Sequence, residues 1–413
     1  MRIAVVGVLP PLRSGIADHT LELARALSER NEVTLYVEDP AAVAPARPCP
    51  SIYPAAALPG RRREHDVVVY QAGNHGSHAF VRDLVDLVPG VVDLHDATLH
   101  DLTLARFLGA RAALARELAR NEGALAVLPR LFGADAETRS LGLGWLARPR
   151  YRLALHSRRR DLFPLRRTIL RAARGVIVHS PYLASSIRAS LPEARVRHVA
   201  HGVRDDLATL GRAAARETVG LGARGVGGDT LVCLSFGLIQ PHKRIEVALD
   251  AIRSLADQGR DVRYVLVGPR GPELDLDAAL RARRLEGVVE VVDGFPPIEE
   301  VARWIEAADV GIALRGPSTG GVSGAWLKMM ALGLPTVATA VAEACHLPPD
   351  ATWFVPTGGR ELPELTRALA HLADHPAERA ALGERARAAI AGQGFAWPAA
   401  ARAYEAALGE LAS

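Results

Sequence analysis

Leu231–Arg244 reads LVCLSFGLIQPHKR, and its order decides the architecture. Leu231–Phe236 is apolar without polar alternation, which predicts a strand buried on both faces. Gly237 follows as a turn, and a helix is expected to start near Lys243. A buried strand, a glycine turn and a helix make up half of a parallel crossover unit. The rhythm continues downstream, with strands predicted at Tyr264–Val267, Val288–Val291, Val310–Ala313 and Pro335–Ala338. Upstream, Ile3–Val8, Val33–Val37, Val67–Tyr70, Val91–Leu94 and Val176–Val178 read the same way, and Ala17–Leu27 reads as a helix. The pattern predicts an α/β chain of two doubly wound units.

Length and composition agree. At 413 residues the chain exceeds one ordinary core. Apolar residues make up 49% and charged residues 23%, as in soluble globular proteins. A formal charge of +4 and no basic surface interleaved with aromatics argue against nucleic acid. Cys49, Cys233 and Cys345 are far apart and form neither a zinc pattern nor a disulfide framework, which fits a reducing cytoplasm. No apolar run reaches the roughly 18 residues of a membrane span. The start, MRIAVVGVLPPLRSG, lacks the long apolar region of a signal peptide. A cytoplasmic protein is expected, with peripheral contact at the inner face of a membrane left open. The expected domains are 1–206 and 207–392, joined near the Gly/Ala/Arg-rich stretch Leu207–Asp229, with a closing segment 393–413 that holds a helix from about Pro398 to Leu411. Leu102–Arg174 reads as a long helical region. Its arginine cluster, Arg148–Arg174, suits an anionic acceptor or a lipid headgroup, or equally a solvated face.

Ligands of doubly wound sheets bind beyond the carboxyl ends of the strands, so residues just after each strand are the candidates. After the first strand, Ser14 and Gly15 allow close backbone approach at a helix N-terminus, which favours an anion; a plain turn is the alternative. After the third, YQAGNHGSH supplies Asn74, His75 and His78 as substrate contacts. After the fourth, LHDATLHD supplies His95 and Asp96, a pair suited to orienting a hydroxyl or a phosphate; a structural histidine is the alternative. The histidine spacing fits no metal pattern, so no metal is expected.

The chain has two lysines, Lys243 and Lys328, against 48 arginines. A compact ammonium is not replaceable by a guanidinium everywhere. In GLIQPHKR, Gly237, Lys243 and Arg244 are placed to neutralise a diphosphate. In GPRG, Gly268 makes a tight turn beside which a flat ring could pack. In LRGPSTGGVSGAWLK, Arg315 and the backbone N–H groups of Ser323 and Gly324 form a second anion cradle, with Lys328 further along the same helix. There is neither a P-loop nor a dinucleotide fingerprint. Asp275-Leu276-Asp277 stands at a helix start, where acids serve as caps.

Taken in order, PPLRSGIADHT, VVDLHD, VIVHSPY, HVAHGV, SFGLIQPHKR, YVLVGP, VVDGF, AADVGIALR, MALGLPTVAT and FAWPAAARAYEAAL resemble a GT-B glycosyltransferase of family 4 over essentially the whole chain. The resemblance implies two Rossmann-like domains facing across a cleft, with the last helix crossing back to the first domain. It implies retaining transfer from a nucleotide-diphosphate sugar, usually without a metal, so the donor is a substrate and no cofactor is expected. In such enzymes the lysine matching Lys243 contacts the donor phosphates, and the histidine matching His95 lies near the transferred sugar. An arginine common after the motif's first glycine is here Leu238. The family's Glu-x7-Glu pair falls on Gly320 and Lys328. A subgroup's GETSG-like segment reads GGVSG, with Gly321 in the acid's place, and a later acidic position looks like His346. A cation at Lys328 cannot accept ribose hydroxyl protons; it suits a phosphate or carboxylate on an unusual donor, or marks a decayed site. Three readings stay open: a glycosyltransferase acting on a small-molecule, glycan or lipid-linked acceptor; a non-catalytic GT-B protein that binds a nucleotide or a partner; and a sugar-nucleotide epimerase.

Overall fold

The computed structural model describes residues 1–43, 50–107, 110–122, 164–207, 209–318, 320–344 and 346–412. Cys49, Cys345, much of the region Leu102–Arg174 and most of the arginine cluster therefore lie outside the described residues. The chain divides into two compact units. One comprises Met1–Gly202, Thr319–Val322 and Trp397–Ser413; the other comprises Val203–Ser318 and Ser323–Ala396.

The first unit holds seven parallel strands: β1 (Arg2–Val6), β2 (Glu32–Val37), β3 (Ser51–Pro54), β4 (Val67–Ala72), β5 (Val91–Leu94), β6 (Gly175–Val178) and β7 (Val196–His198). Their spatial order is β3-β2-β1-β4-β5-β6-β7. Alternate residues leave opposite faces of a strand. Ala4 and Val6 accordingly join one buried cluster with Tyr70 and Leu94, while Ile3 and Val5 join another with Val69 and Ile177. The helix Trp397–Ala412 completes this second cluster. Trp397, Ala400, Ala401, Tyr404, Ala407, Leu408 and Leu411 form its buried stripe at helical spacing. Each fully buried leucine of that stripe contributes roughly 2 kcal/mol.

The second unit holds β8 (Leu231–Phe236), β9 (Val262–Val267), β10 (Val289–Val292), β11 (Val310–Ala313), β12 (Thr336–Thr339) and β13 (Trp353–Val355), in the order β10-β9-β8-β11-β12-β13. All pairings in it are parallel. The stretch Leu207–Asp229, read as a join, contains the helix Arg212–Thr218. Arg216 of that helix reaches Asp309 at 2.6 Å, which ties it to the second unit.

Strand order reverses between β1 and β4 in the first sheet and between β8 and β11 in the second. Loops leaving adjacent strands in opposite directions open a crevice at such a point. The loops after β8 and β11 are joined there by the Gly316 N–H, which donates to the His242 carbonyl at 2.8 Å.

No helix among the described residues is long and apolar enough to cross a membrane.

Candidate functional site

The crevice of the second unit gathers cations. Lys243 ends the single 3-10 turn Pro241–Lys243. The helix begins only at Ile245, because Arg244 takes a left-handed conformation (φ 55°) between turn and helix. Lys243 is therefore presented from the loop and not from the first helical turn, as the sequence suggested. Its residue is only partly buried along its length, but its ammonium is driven inward and donates to the Phe236 carbonyl at 3.1 Å. Gly237 makes this possible. Its φ is +102°, and a Cβ there would meet Lys243 Nζ at 2.9 Å. Gly268 plays the matching part after β9: its φ is +143°, and a Cβ would stand 2.4 Å from the Gly237 carbonyl oxygen.

Burial, then Arg315, then Lys328 push the Lys243 ammonium down to about 7 from an ordinary 10.5. Among the described residues Lys243 pairs with no carboxylate. His242, absent from the sequence-derived candidates, faces the same charges; burial, Lys243 and Arg315 push it down to about 4. Arg315 leaves the end of β11 and reaches Glu343 at 3.7 Å. The Lys328 ammonium stands 5.8 Å from the Phe236 ring centroid. Its helix, Gly324–Ala331, is capped by the Ser323 hydroxyl, which accepts from Trp326 N at 3.3 Å. The Ser323 and Gly324 N–H groups donate to no acceptor among the described residues, as expected at a helix start.

Arg244 departs from expectation. Both its Nε and its Nη2 donate to Glu361, at 2.9 and 2.5 Å, and the Glu361 side chain is 2% exposed. Its guanidinium is thus paired with a buried carboxylate in this structure. Asp275 caps a helix by accepting from Ala278 N at 2.9 Å, in line with its reading as a cap.

In the first unit, β4 and β5 carry a polar set into the sheet interior. His95 and Asp96 follow β5, and the His95 side chain is 7% exposed. Asp96 holds the next loop by accepting from Asn74 N at 2.8 Å. The other histidines of that loop serve the fold. Burial pushes His78, which is wholly enclosed and bonded to the Gln71 carbonyl at 3.1 Å, down to about 4. His75 caps its own turn through Ser77 N. Asn74 exchanges hydrogen bonds with Asp101, accepting at 2.7 Å and donating at 3.2 Å. Asn74 and the Nδ1 atoms of His75 and His78 thus bond within the loop or to its strand, while the buried Nε2 of His78 meets no hydrogen-bond partner among the described residues. Ser14 accepts from Ile16 N as a helix cap, and the space a Gly15 Cβ would occupy is open.

The sequence reading missed Asp93, which lies wholly inside the first unit. Tyr404 and Gln71 donate to its Oδ2 at 2.6 and 3.0 Å, and His179 Nε2 lies 3.1 Å from its Oδ1. Burial alone would raise the Asp93 carboxyl, but the facing His179, with His95 and Tyr404, holds it well below the carboxylate range. His19, Asp93, His95 and His179 offer ligand-type atoms all within 4.8 Å of one another.

The Gly320–Val322 segment clusters with this unit. A Cβ on Gly321 would stand 2.5 Å from the His95 carbonyl oxygen and 3.2 Å from Asp96 Oδ1. No acidic side chain fits at 321 with the loop so placed.

Residues 230–375 match the family described as "Glycosyl transferases group 1". The chain is 34% identical over 216 residues to a D-inositol 3-phosphate glycosyltransferase of Streptomyces griseus subsp. griseus, covering 49% of this chain and 44% of that protein. It is 32% identical over 110 residues to the amylovoran biosynthesis glycosyltransferase AmsK of Erwinia amylovora, covering 26% and 27%. The chain thus spans less than half the length of these curated relatives. Among solved structures, sucrose-phosphate synthase from Thermosynechococcus elongatus superposes with a TM-score of 0.66 at 16% identity, covering 99% of this chain and 98% of that one. Anabaena Alr3699/HepE, in complex with UDP and glucose, gives 0.66 at 14% identity, covering 99% and 100%. These likenesses show the fold: two parallel-sheet Rossmann-like domains of the GT-B kind.

Proposed function

We propose that the chain is a glycosyltransferase of the family 4 type, which moves a sugar from a nucleotide-diphosphate sugar to an acceptor hydroxyl with retention and without a metal. One observation carries this reading. An ammonium is buried at the switch point of the second sheet, and the cations Arg315 and Lys328 act on it to lower its affinity for its proton. A buried ammonium with no carboxylate of its own among the described residues is costly, and a bound anion would stabilise it. Lys243, Arg315 and the N–H groups of Ser323 and Gly324 hold the diphosphate, with Gly237 and Gly268 shaping the turn beneath it. Lys328 supplies further positive charge near the donor. His95 and Asp96 orient the reacting sugar, and Gly15 admits it closely. A leaving diphosphate needs charge stabilisation and not a protein nucleophile, which suits this composition. Partners are the donor and an acceptor of small-molecule, glycan or lipid-linked type.

A second reading has its own support. Gly320, Gly321 and Lys328 stand where the resemblance implies carboxylates, and the space at Gly321 excludes one. A non-catalytic protein that binds a nucleotide fits that loss. Thermal-shift titration with UDP-, GDP-, ADP- and dTDP-sugars tests both: a shift with one base and turnover supports the transferase, a shift without turnover supports the binding protein, and no shift with any refutes both.

A further inference from the structure

The buried Asp93 cluster permits a count of its protons. Asp93 is an ionised acceptor, so Gln71 must turn its NH2 toward Oδ2, at 3.0 Å. That leaves Gln71 Oε1 facing His95 Nε2 at 2.7 Å. An amide oxygen only accepts, so the proton sits on His95 Nε2. Tyr404 gives its own proton to Asp93, so its oxygen accepts from His19 Nε2, at 3.2 Å. His179 Nδ1 faces the Val199 carbonyl at 3.1 Å, and its Nε2 stands 3.1 Å from Asp93 Oδ1 as a close ion-pair approach without hydrogen-bond alignment, so the carboxylate opposite favours a doubly protonated ring. Its ring is raised above the ordinary value: burial alone would lower it, and Asp93 and the Val199 carbonyl outweigh that.

In this arrangement the Nε2 atoms of His95, His19 and His179 point protons at Gln71, Tyr404 and Asp93, and the neutral His95 keeps its lone pair on Nδ1. The cluster is a cage of donors around one carboxylate. His95 itself is neutral, because burial pushes it down to about 3 despite Asp93. Its Nδ1 accepts no hydrogen bond among the described residues. The ionisable groups around it include His19 on the first helix, His78 after β4, Asp93 on its own strand, His179 after β6 and His201 after β7.

We infer that Gln71, held by Asp93, is a positioning residue that fixes His95 in the Nε2–H form, so that His95 Nδ1 takes a hydroxyl donor and not a phosphate oxygen. The proton arrangement stands on the first unit alone; only the hydroxyl's belonging to a transferred sugar rests on the transferase reading.

The test is a long-range proton–nitrogen spectrum of the whole chain labelled with nitrogen-15 histidine, at neutral pH, with His95 assigned from His95→Asn. The expected spectrum shows His95 as a single neutral Nε2–H ring and His179 doubly protonated. In Gln71→Met the fixed His95 form should be lost, whereas Tyr404→Phe, which also loosens Asp93, should keep it. Where turnover is measurable, Gln71→Met should lower kcat about tenfold, the worth of one hydrogen bond, at nearly unchanged donor KM. An Nδ1–H or charged His95 in the unaltered chain, an unchanged His95 form in Gln71→Met, or one zinc per chain retained after dialysis would each overturn the inference. The predicted spectrum in a chain that binds no nucleotide sugar would leave the inference standing and remove the transferase reading.

Discussion

Raising the pH from 7 to 9 should weaken the binding of a nucleotide-diphosphate sugar about fiftyfold. The cause is Lys243, held at about 7 by burial and by Arg315 and Lys328. At neutral pH roughly half of the free protein carries the ammonium, and at pH 9 only about one molecule in a hundred does. A bound diphosphate supplies the missing negative charge and returns the group toward its ordinary 10.5, so binding takes up a proton. The pyrophosphate of a sugar nucleotide does not titrate in this range, so the uptake belongs to the protein. Folding responds with the opposite sign. The unfolded chain holds this proton up to about 10.5 and the folded one loses it near 7, so the unliganded fold gains stability as pH rises between those values. Isothermal titration in two buffers of different ionisation enthalpy measures the uptake, expected at roughly half a proton at pH 7. Lys243→Met should weaken binding, flatten its pH dependence, and leave the unliganded melting temperature unchanged or raised. Flat affinity between pH 7 and 9 in the unaltered chain, or the same slope in Lys243→Met, would refute the reasoning.

Three other outcomes follow from particular contacts. Lys328→Glu puts a carboxylate where a cation now depresses Lys243, so the midpoint of the pH dependence should climb by about one pH unit or more; an unmoved midpoint would remove Lys328 from the set. Gly268→Ala forces a side chain against the Gly237 carbonyl oxygen at 2.4 Å and should cost roughly 3 kcal/mol by denaturant unfolding, with donor binding lost alongside; a neutral effect would contradict the turn's role. Acid should destabilise the fold early. His95, His78 and His242 are held at about 3, 4 and 4, chiefly by burial, so the unfolded chain binds protons below about 6.5 that the folded chain refuses. Stability should fall by roughly 4 kcal/mol between about pH 6.5 and pH 5, followed by circular dichroism, against a small opposing contribution from His179.

The central strands were legible because both their faces are buried and their apolar runs are continuous. β3, β7 and β13 were not, since each is an edge strand of three or four residues, with Ser51 and Pro54, Arg197 and His198, or Trp353 and Phe354 left partly exposed. The cation set was legible because lysine is so rare here that Lys243 stood out. Arg244 misled, since nothing in GLIQPHKR points to Glu361, 117 residues away. The Asp93 cage had a readable signal that went unused. Gln71 and Asp93 interrupt otherwise apolar strand runs, and they sit opposite each other in the β4–β5 register. Asp93 and His95 are two apart, hence on one face. Tyr404 and His179 come from distant segments, and only the fold brings them to the same carboxylate.

A crystal structure of the chain with a nucleoside diphosphate bound tests the central claim most directly. The account predicts pyrophosphate oxygens at hydrogen-bond distance, about 3 Å, from Lys243 Nζ and from the N–H groups of Ser323 and Gly324. A nucleotide seated elsewhere, with Lys243 still donating only to the Phe236 carbonyl, would contradict it.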